Sequence, residues 1–381
     1  MTPLVGAVDS ALFGNVVGQP LALTVLGQAL QRGSAHAYLL HGPRGVGKTD
    51  AAYAFAAGLL CPDGGCCHCD HCRRARSGVH VDLETVAPDG SSILIDQIRQ
   101  LTLDAAMRPY EAARRVYVIL EAETMTEPAA NAFLKTLEEP PSHARFVLVS
   151  SAPERLLPTV VSRCQRVPFF RTPAKALAAH LGSRYGLRAE DAWALARVAQ
   201  GDLSYAEALT HSQSVREDRV LVLSLARELP SAGFARVQGM ADEVMAMLGR
   251  RVAAAVACVE DQKTCEMEWA ADARARSRVE KAFDVRLRRE KRAAVQAGID
   301  HVISGSAGWF RDLAVVAVGA EETVHNFDYL AELREDVLPG LLSSYLEVIA
   351  AAKRTKERFR YNVDTRCSLE HMLFSMKEAL L

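Results

Sequence analysis

The chain has 381 residues, enough for two or three domains with separate cores, and its 49% hydrophobic and 24% charged residues are ordinary for a soluble globular protein. A formal net charge of −1 excludes bulk attraction to nucleic acid or anionic membrane and leaves only local basic patches for such partners. The opening MTPLVGAVDS lacks the basic-then-apolar order of a signal peptide, and no apolar run approaches the ~20 residues that span a bilayer, so a cytoplasmic location with no membrane partner is expected.

In chain order, residues 1–171 alternate helical stretches with short apolar runs. LALTVLGQALQRG precedes the run AYLLHG (37–42), and ILIDQIRQLTLDAAM lies between VDLETVAP (81–88) and RVYVIL (115–120), with RFVLVSS (145–151) further on. Such alternation predicts an α/β domain with a parallel sheet and crossover helices. Residues 172–212 read as a small helical domain and 213–381 as a larger all-helical one with no strand pattern. Within the latter, ADARARSRVEKAFDVRLRREKR interleaves both charge signs as a solvated helix does; an arginine face for nucleic acid is the competing reading.

The octet GPRGVGKT (42–49) follows a strand and precedes a helix, the context a phosphate-binding loop requires. Gly42, Pro43, Arg44, Gly45, Val46 and Gly47 let backbone N–H groups turn toward phosphate oxygens at a helix N-terminus. Lys48 would reach the β- and γ-phosphates and Thr49 would place its hydroxyl on Mg²⁺, so ATP with Mg²⁺ is a candidate ligand. Turnover also needs an acidic pair after a later strand. RVYVIL ends in Leu120, which cannot ligate a cation, before Glu121-Ala122-Glu123. Glu121 could orient water; Glu123 lies two positions further along the exit and is a poorer substitute. Efficient hydrolysis is not expected.

Five of the nine cysteines fall between Cys61 and Cys72. Cys61, Cys66, Cys69 and Cys72 can form a closed tetrahedral zinc site, structural rather than catalytic. Cys67 can exchange with Cys66 on spacing alone, His68 and His71 rank lower, and iron–sulfur ligation by the same thiolates is the alternative. Cys164 reads as core packing.

RVYVILEAE, NAFLKTLEEPP (131–141), SRCQRV (162–167), VVGQ (16–19) and a cysteine module after the phosphate-loop helix together resemble the bacterial clamp-loader branch of the AAA+ ATPases, the loaders of DNA polymerase III. The resemblance is close over residues ~12–170 and elsewhere extends to layout alone. It implies an AAA+ nucleotide-binding domain with an inserted zinc module (61–72), a helical lid and an all-α collar used for oligomerisation. It places Val17 in an adenine-side box, Ser150 or Ser151 as a γ-phosphate sensor, and Arg163 as an arginine finger acting in trans. A capping serine at a strand end and an arginine in an interface salt bridge are the plainer readings of these residues. The implied partners are γ/τ-type motor subunits and a δ subunit in a hetero-oligomeric ring, with the sliding clamp and primed DNA met through the complex. Leu120 in place of an acidic residue, Ser204 in place of a lid arginine, and the lack of a long C-terminal extension all depart from the motor. They point to a non-motor subunit, with a motor ATPase or a DNA-binding repair adaptor as alternatives.

Overall fold

A computed structural model describes residues 11–269, 273–358 and 364–380, and its packing divides into two compact units, one up to Glu207 and one from Ala208 onward. The first unit is built on five parallel strands: β1 (Ala37–His41), β2 (Leu83–Val86), β3 (Arg115–Ile119), β4 (Ala144–Ser150) and β5 (Gln165–Pro168), in the order β2-β3-β4-β1-β5. The central strands β1, β3 and β4 are buried on both faces, which is why they read as unbroken apolar runs rather than alternating ones. β5 was not legible as a strand. Gln165 and Arg166 are exposed at the sheet edge, and only pairing with Tyr38–His41 of β1 makes the segment extended.

Helices cover both faces. On one, α1 (Pro20–Arg32) and α2 (Lys48–Leu60) bury Leu26, Phe55 and Leu59 against Tyr38, Leu40 and Val118. On the other, α4 (Ile95–Ala105) and α5 (Glu127–Glu138) bury Ile98, Leu101 and Phe133 against Leu39, Tyr117 and Phe146. The short α3 (Asp70–Arg76) follows α2, and α6 (Pro158–Val161) precedes β5. The loops after β1, β3 and β4 all leave the same carboxyl edge, where open parallel sheets place their ligands.

After β5 come α7 (Ala174–Tyr185), α8 (Ala189–Val198) and α9 (Leu203–His211), which share a small core of Leu177, Leu181, Ala192, Ala196, Leu203 and Ala206. The boundary between the two compact units falls within α9. The second unit contains α10 (Gln213–Glu228), α11 (Phe234–Trp269), α12 (Ala273–Ala317), α13 (Leu330–Asp336), α14 (Leu342–Arg358) and α15 (Thr365–Glu378) around Met240, Trp309, Phe310, Val348 and Met372. The chain thus has the expected class, a parallel α/β sheet followed by helices alone. The charge-dense stretch 271–292 lies partly outside the described residues; among its described side chains Arg276, Glu280, Asp284, Arg288 and Lys291 are exposed, with both signs together on α12. Among the described residues no helix is long and apolar enough to cross a membrane.

Candidate functional site

The loop 42–47 leaves β1 and enters α2 directly at Lys48. Gly42, Gly45 and Gly47 all have positive φ (148°, 72° and 84°), and Gly47 forms the left-handed N-cap of α2. The Gly42 N–H donates to the Ser150 carbonyl at 3.2 Å, and a side chain at 42 would meet the Phe169 carbonyl at 2.1 Å, so the loop is held between the ends of β4 and β5. Lys48 is 7% exposed, and its Nζ donates back to the carbonyls of Gly42 (2.8 Å) and Pro43. Burial lowers this ammonium to about 8; Glu123 and Asp202 oppose the shift, while Arg44 and Arg171 add to it. Val46 is buried, Pro43 half-buried, and Arg44 and Thr49 are exposed at the surface.

On the acidic side, Leu120 joins the apolar core beneath α2. Glu121 takes a left-handed conformation (φ 49°) and opens a tight turn over Ala122–Thr124. That turn folds the chain back, so that Glu123 is buried and its Oε1 accepts from the Ser151 N–H (3.1 Å) and hydroxyl (2.6 Å). Its other oxygen, Oε2, is buried without a hydrogen-bond partner. The turn, invisible in spacing, thus brings Glu123 rather than Glu121 to Ser151 at the end of β4. Ser150 is buried, and its hydroxyl accepts from the Ala152 N–H at 3.2 Å.

The α7–α9 helices reach the same loop. The Gly45 carbonyl accepts from the N–H groups of Leu203 (2.7 Å) and Ser204 (3.3 Å), the first residues of α9. Asp202 caps that helix by accepting from the Tyr205 N–H at 2.9 Å. Burial pushes the Asp202 acid up, against the opposing pull of backbone donors, Arg171 and Lys48. Gln19 ties the VVGQ segment to the strand exit through two bonds, Nε2 to the Phe170 carbonyl (2.7 Å) and the Phe170 N–H to Oε1 (3.0 Å). Val17, half-buried, packs against the core of α7–α9. Gln19 and Asp202 carry no phosphate-loop signature of their own. An Asp just before the apolar positions Leu203, Ala206 and Leu209 is a helix-start signal, so Asp202 was findable.

Arg163 lies after α6, one-third exposed, paired with Glu138 at 2.5 Å and donating to the Thr159 carbonyl at 3.0 Å. Both partners lie outside the 42–49 loop. The neighbouring Cys164 is buried in the sheet core, which pushes its thiol up to about 12.

Cys61, Cys66, Cys69 and Cys72 bring their Sγ atoms within 4.8 Å of one another. Cys61 Sγ lies 3.6 Å from that of Cys66 and 3.7 Å from that of Cys69. A tetrahedron of ~2.3 Å zinc–sulfur bonds has edges of about 3.8 Å, so the spacing suits that metal. The backbone N–H groups of Cys66 and Cys72 also point at the sulfurs of Cys61 and Cys69, as they would toward thiolates. Cys67 is left-handed (φ 68°) and turns its thiol to the Gly65 carbonyl.

His71, His80 and Glu111 form a second close group. Here the hydrogen bonding argues against a metal. His80 Nδ1 accepts from the Asp82 N–H (3.0 Å), so the neutral ring carries its proton on Nε2, which faces His71 Nδ1 (2.8 Å) and Glu111 (3.2 Å). A nitrogen that bears a proton cannot ligate, and the group reads as a strut from the cysteine module to the 110–112 turn. Asp82 braces that turn by accepting from the N–H groups of Tyr110, Glu111 and Ala112.

A family model described as DNA polymerase III, delta subunit, matches residues 18–173. The chain is 28% identical over 365 residues to DNA polymerase III subunit delta' of Bacillus subtilis (strain 168), covering 94% of this chain and 96% of that protein. It is 40% identical over 157 residues to DNA polymerase III subunit tau of Escherichia coli (strain K12), covering 40% of this chain but 24% of that longer protein. A solved gamma subunit-related protein from Thermotoga maritima aligns at 16% identity with a TM-score of 0.43, covering 95% of this chain and all of that one. The chain resembles the subunits of a bacterial clamp loader, and its likeness to a delta' subunit runs over nearly its whole length.

Proposed function

We propose that the chain works as a clamp-loader subunit of the δ′ type, which holds nucleotide with little or no turnover and lends an arginine to a neighbouring motor subunit. One observation carries this reading: a fully shaped phosphate loop stands beside a strand whose terminal residue, Leu120, is sunk in the apolar core. The loop's positive-φ glycines and buried Lys48 suit a polyphosphate, and in this reading the exposed Thr49 hydroxyl at the start of α2 would hold the accompanying Mg²⁺, which would neutralise phosphate charge. No carboxylate takes the place of Leu120, and one oxygen of Glu123 is already committed to Ser151.

In this reading Arg163 acts on the ATP of an adjacent motor subunit. Its pair with Glu138 is half exposed and so cheap to open, and such a finger is worth ~10³–10⁵ in rate in related NTPases. The four-cysteine group would hold structural Zn²⁺. The partners would be γ/τ-type motor subunits and a δ subunit, acting together on the sliding clamp and primed DNA. The test is ATP binding and turnover by the isolated chain, by Lys48→Ala, and by the ring reassembled with motor subunits carrying wild-type or Arg163→Ala chain. The expected result is binding without turnover alone, loss of binding in Lys48→Ala, and ring hydrolysis that collapses in Arg163→Ala. Vigorous hydrolysis by the isolated chain would instead favour a motor.

A further inference from the structure

We propose that Asp202 is an anionic stop on the phosphate loop: clamped against Gly45 by α9, its carboxylate lowers the affinity of the 42–49 loop for polyphosphate. The inference rests on the nucleotide reading above and adds to it the residue that sets how tightly the loop holds its ligand.

The contact is close. A methyl carbon built on Gly45 would lie 1.9 Å from Asp202 Oδ1, so the carboxylate lies directly on the middle of the loop. The backbone fixes it there, because the N–H groups of Leu203 and Ser204 both donate to the Gly45 carbonyl. These first-turn amides are the groups a helix N-terminus offers to an anion, and here the loop's own carbonyl takes them. A negative side chain thus stands where the loop and the start of α9 meet.

Capping does not explain the charge, since serine, threonine or asparagine would accept from the Tyr205 N–H equally well. The cations near it stand off rather than bond to it directly. Arg171 stands 3.8 Å away with half its side chain in solvent, and Lys48 is engaged with the carbonyls of Gly42 and Pro43. A phosphate chain entering the loop therefore meets a like charge. It binds with that repulsion, or it binds as α9 swings off Gly45 and gives up two hydrogen bonds. Either route weakens binding.

The experiment measures ATP binding to the full chain as wild type, Asp202→Asn, Asp202→Ser and Lys48→Ala, with Tm recorded for each. Asn and Ser both keep the cap without the charge, so a misfolded variant of one kind leaves the other to decide. The expected result is affinity roughly three- to tenfold tighter in both neutral variants, the scale of one removed like charge in a partly screened site. Binding by the neutral variants where wild type binds too weakly to detect would support the inference equally. Affinity equal to or weaker than wild type, with Lys48→Ala still abolishing binding, would overturn it while leaving the nucleotide reading intact. No binding by wild type or either neutral variant would overturn both.

Discussion

Lys48 donates to two carbonyls of its own loop, and its burial has a consequence for pH. With the ammonium lowered to about 8 from an ordinary 10.5, the folded chain loses this proton well before an unfolded one would. Phosphate favours the charged form, so binding above pH 8 must take up a proton and grows weaker as pH rises. ATP affinity should be level up to about pH 8 and then fall by as much as about tenfold per pH unit. In Lys48→Arg, whose guanidinium does not titrate there, any residual binding should stay level through pH 10. Titration calorimetry across that range checks both. Arg163 contrasts with Lys48: its pair with Glu138 is surface-screened, so Arg163→Ala should move stability by less than ~1 kcal/mol in urea denaturation even as it removes activity from the ring. At this scale the motif was the most legible feature, because a phosphate loop needs particular residues at particular steps. Glu123 was hidden because its placement depends on a left-handed Glu121, which no spacing rule reveals.

The cysteine module shows what an element adds to a motif. Spacing left Cys66 and Cys67 interchangeable; the Gly64-Gly65 turn, with φ of 70° and 114°, delivers Cys66 to the other sulfurs and leaves Cys67 on the Gly65 carbonyl. Cys66→Ser should therefore lose most of the roughly one zinc per chain expected of a closed site, while Cys67→Ser keeps it. Metal analysis of freshly purified protein separates the two, and removal of the metal by chelator should release amide protection across α3. The histidine strut makes a different forecast. His80→Ala strips the Asp82 N–H of its buried acceptor, so it should cost ~1–3 kcal/mol while leaving zinc content unchanged. A parallel loss of zinc would mean that His80 serves the metal after all. Strand β5 marks the limit of reading an element from pattern: at a sheet edge, two exposed polar residues in a row carry no strand signal, and a neighbouring strand decides.

At the scale of the whole chain, the change from short apolar runs between helices to long helical segments announced that the sheet is confined to the first part of the chain, because a strand-length apolar run and a long 3.6-residue repeat differ in length as well as pattern. Periodicity does not reveal which polar groups the second unit seals inside. Asp218 of α10 is 2% exposed and is held by Arg251 at 2.6 Å, with Arg250 at 3.6 Å, both from α11. His301 of α12 lies against this cluster. Burial and the charges of Arg251 and Arg219 lower it to about 3, with Asp218 opposing the shift. Near neutral pH the ring is uncharged in both the folded and unfolded chain and costs nothing. As pH falls below 6.5 the unfolded chain takes a proton that the folded one refuses, so stability is lost between pH 6.5 and about 3, at a limiting slope of ~1.4 kcal/mol per pH unit. Trp309, 1% exposed in the same core, gives the signal. The urea midpoint followed by its fluorescence should decline steadily from pH 6.5 to pH 4 in the wild type. In His301→Gln, which has no proton to gain, the decline should be markedly shallower over the same range and should steepen only as the carboxylates titrate. Equal slopes in the two proteins would mean that His301 is free to protonate in the folded chain, and that the arginines beside it do not keep it neutral.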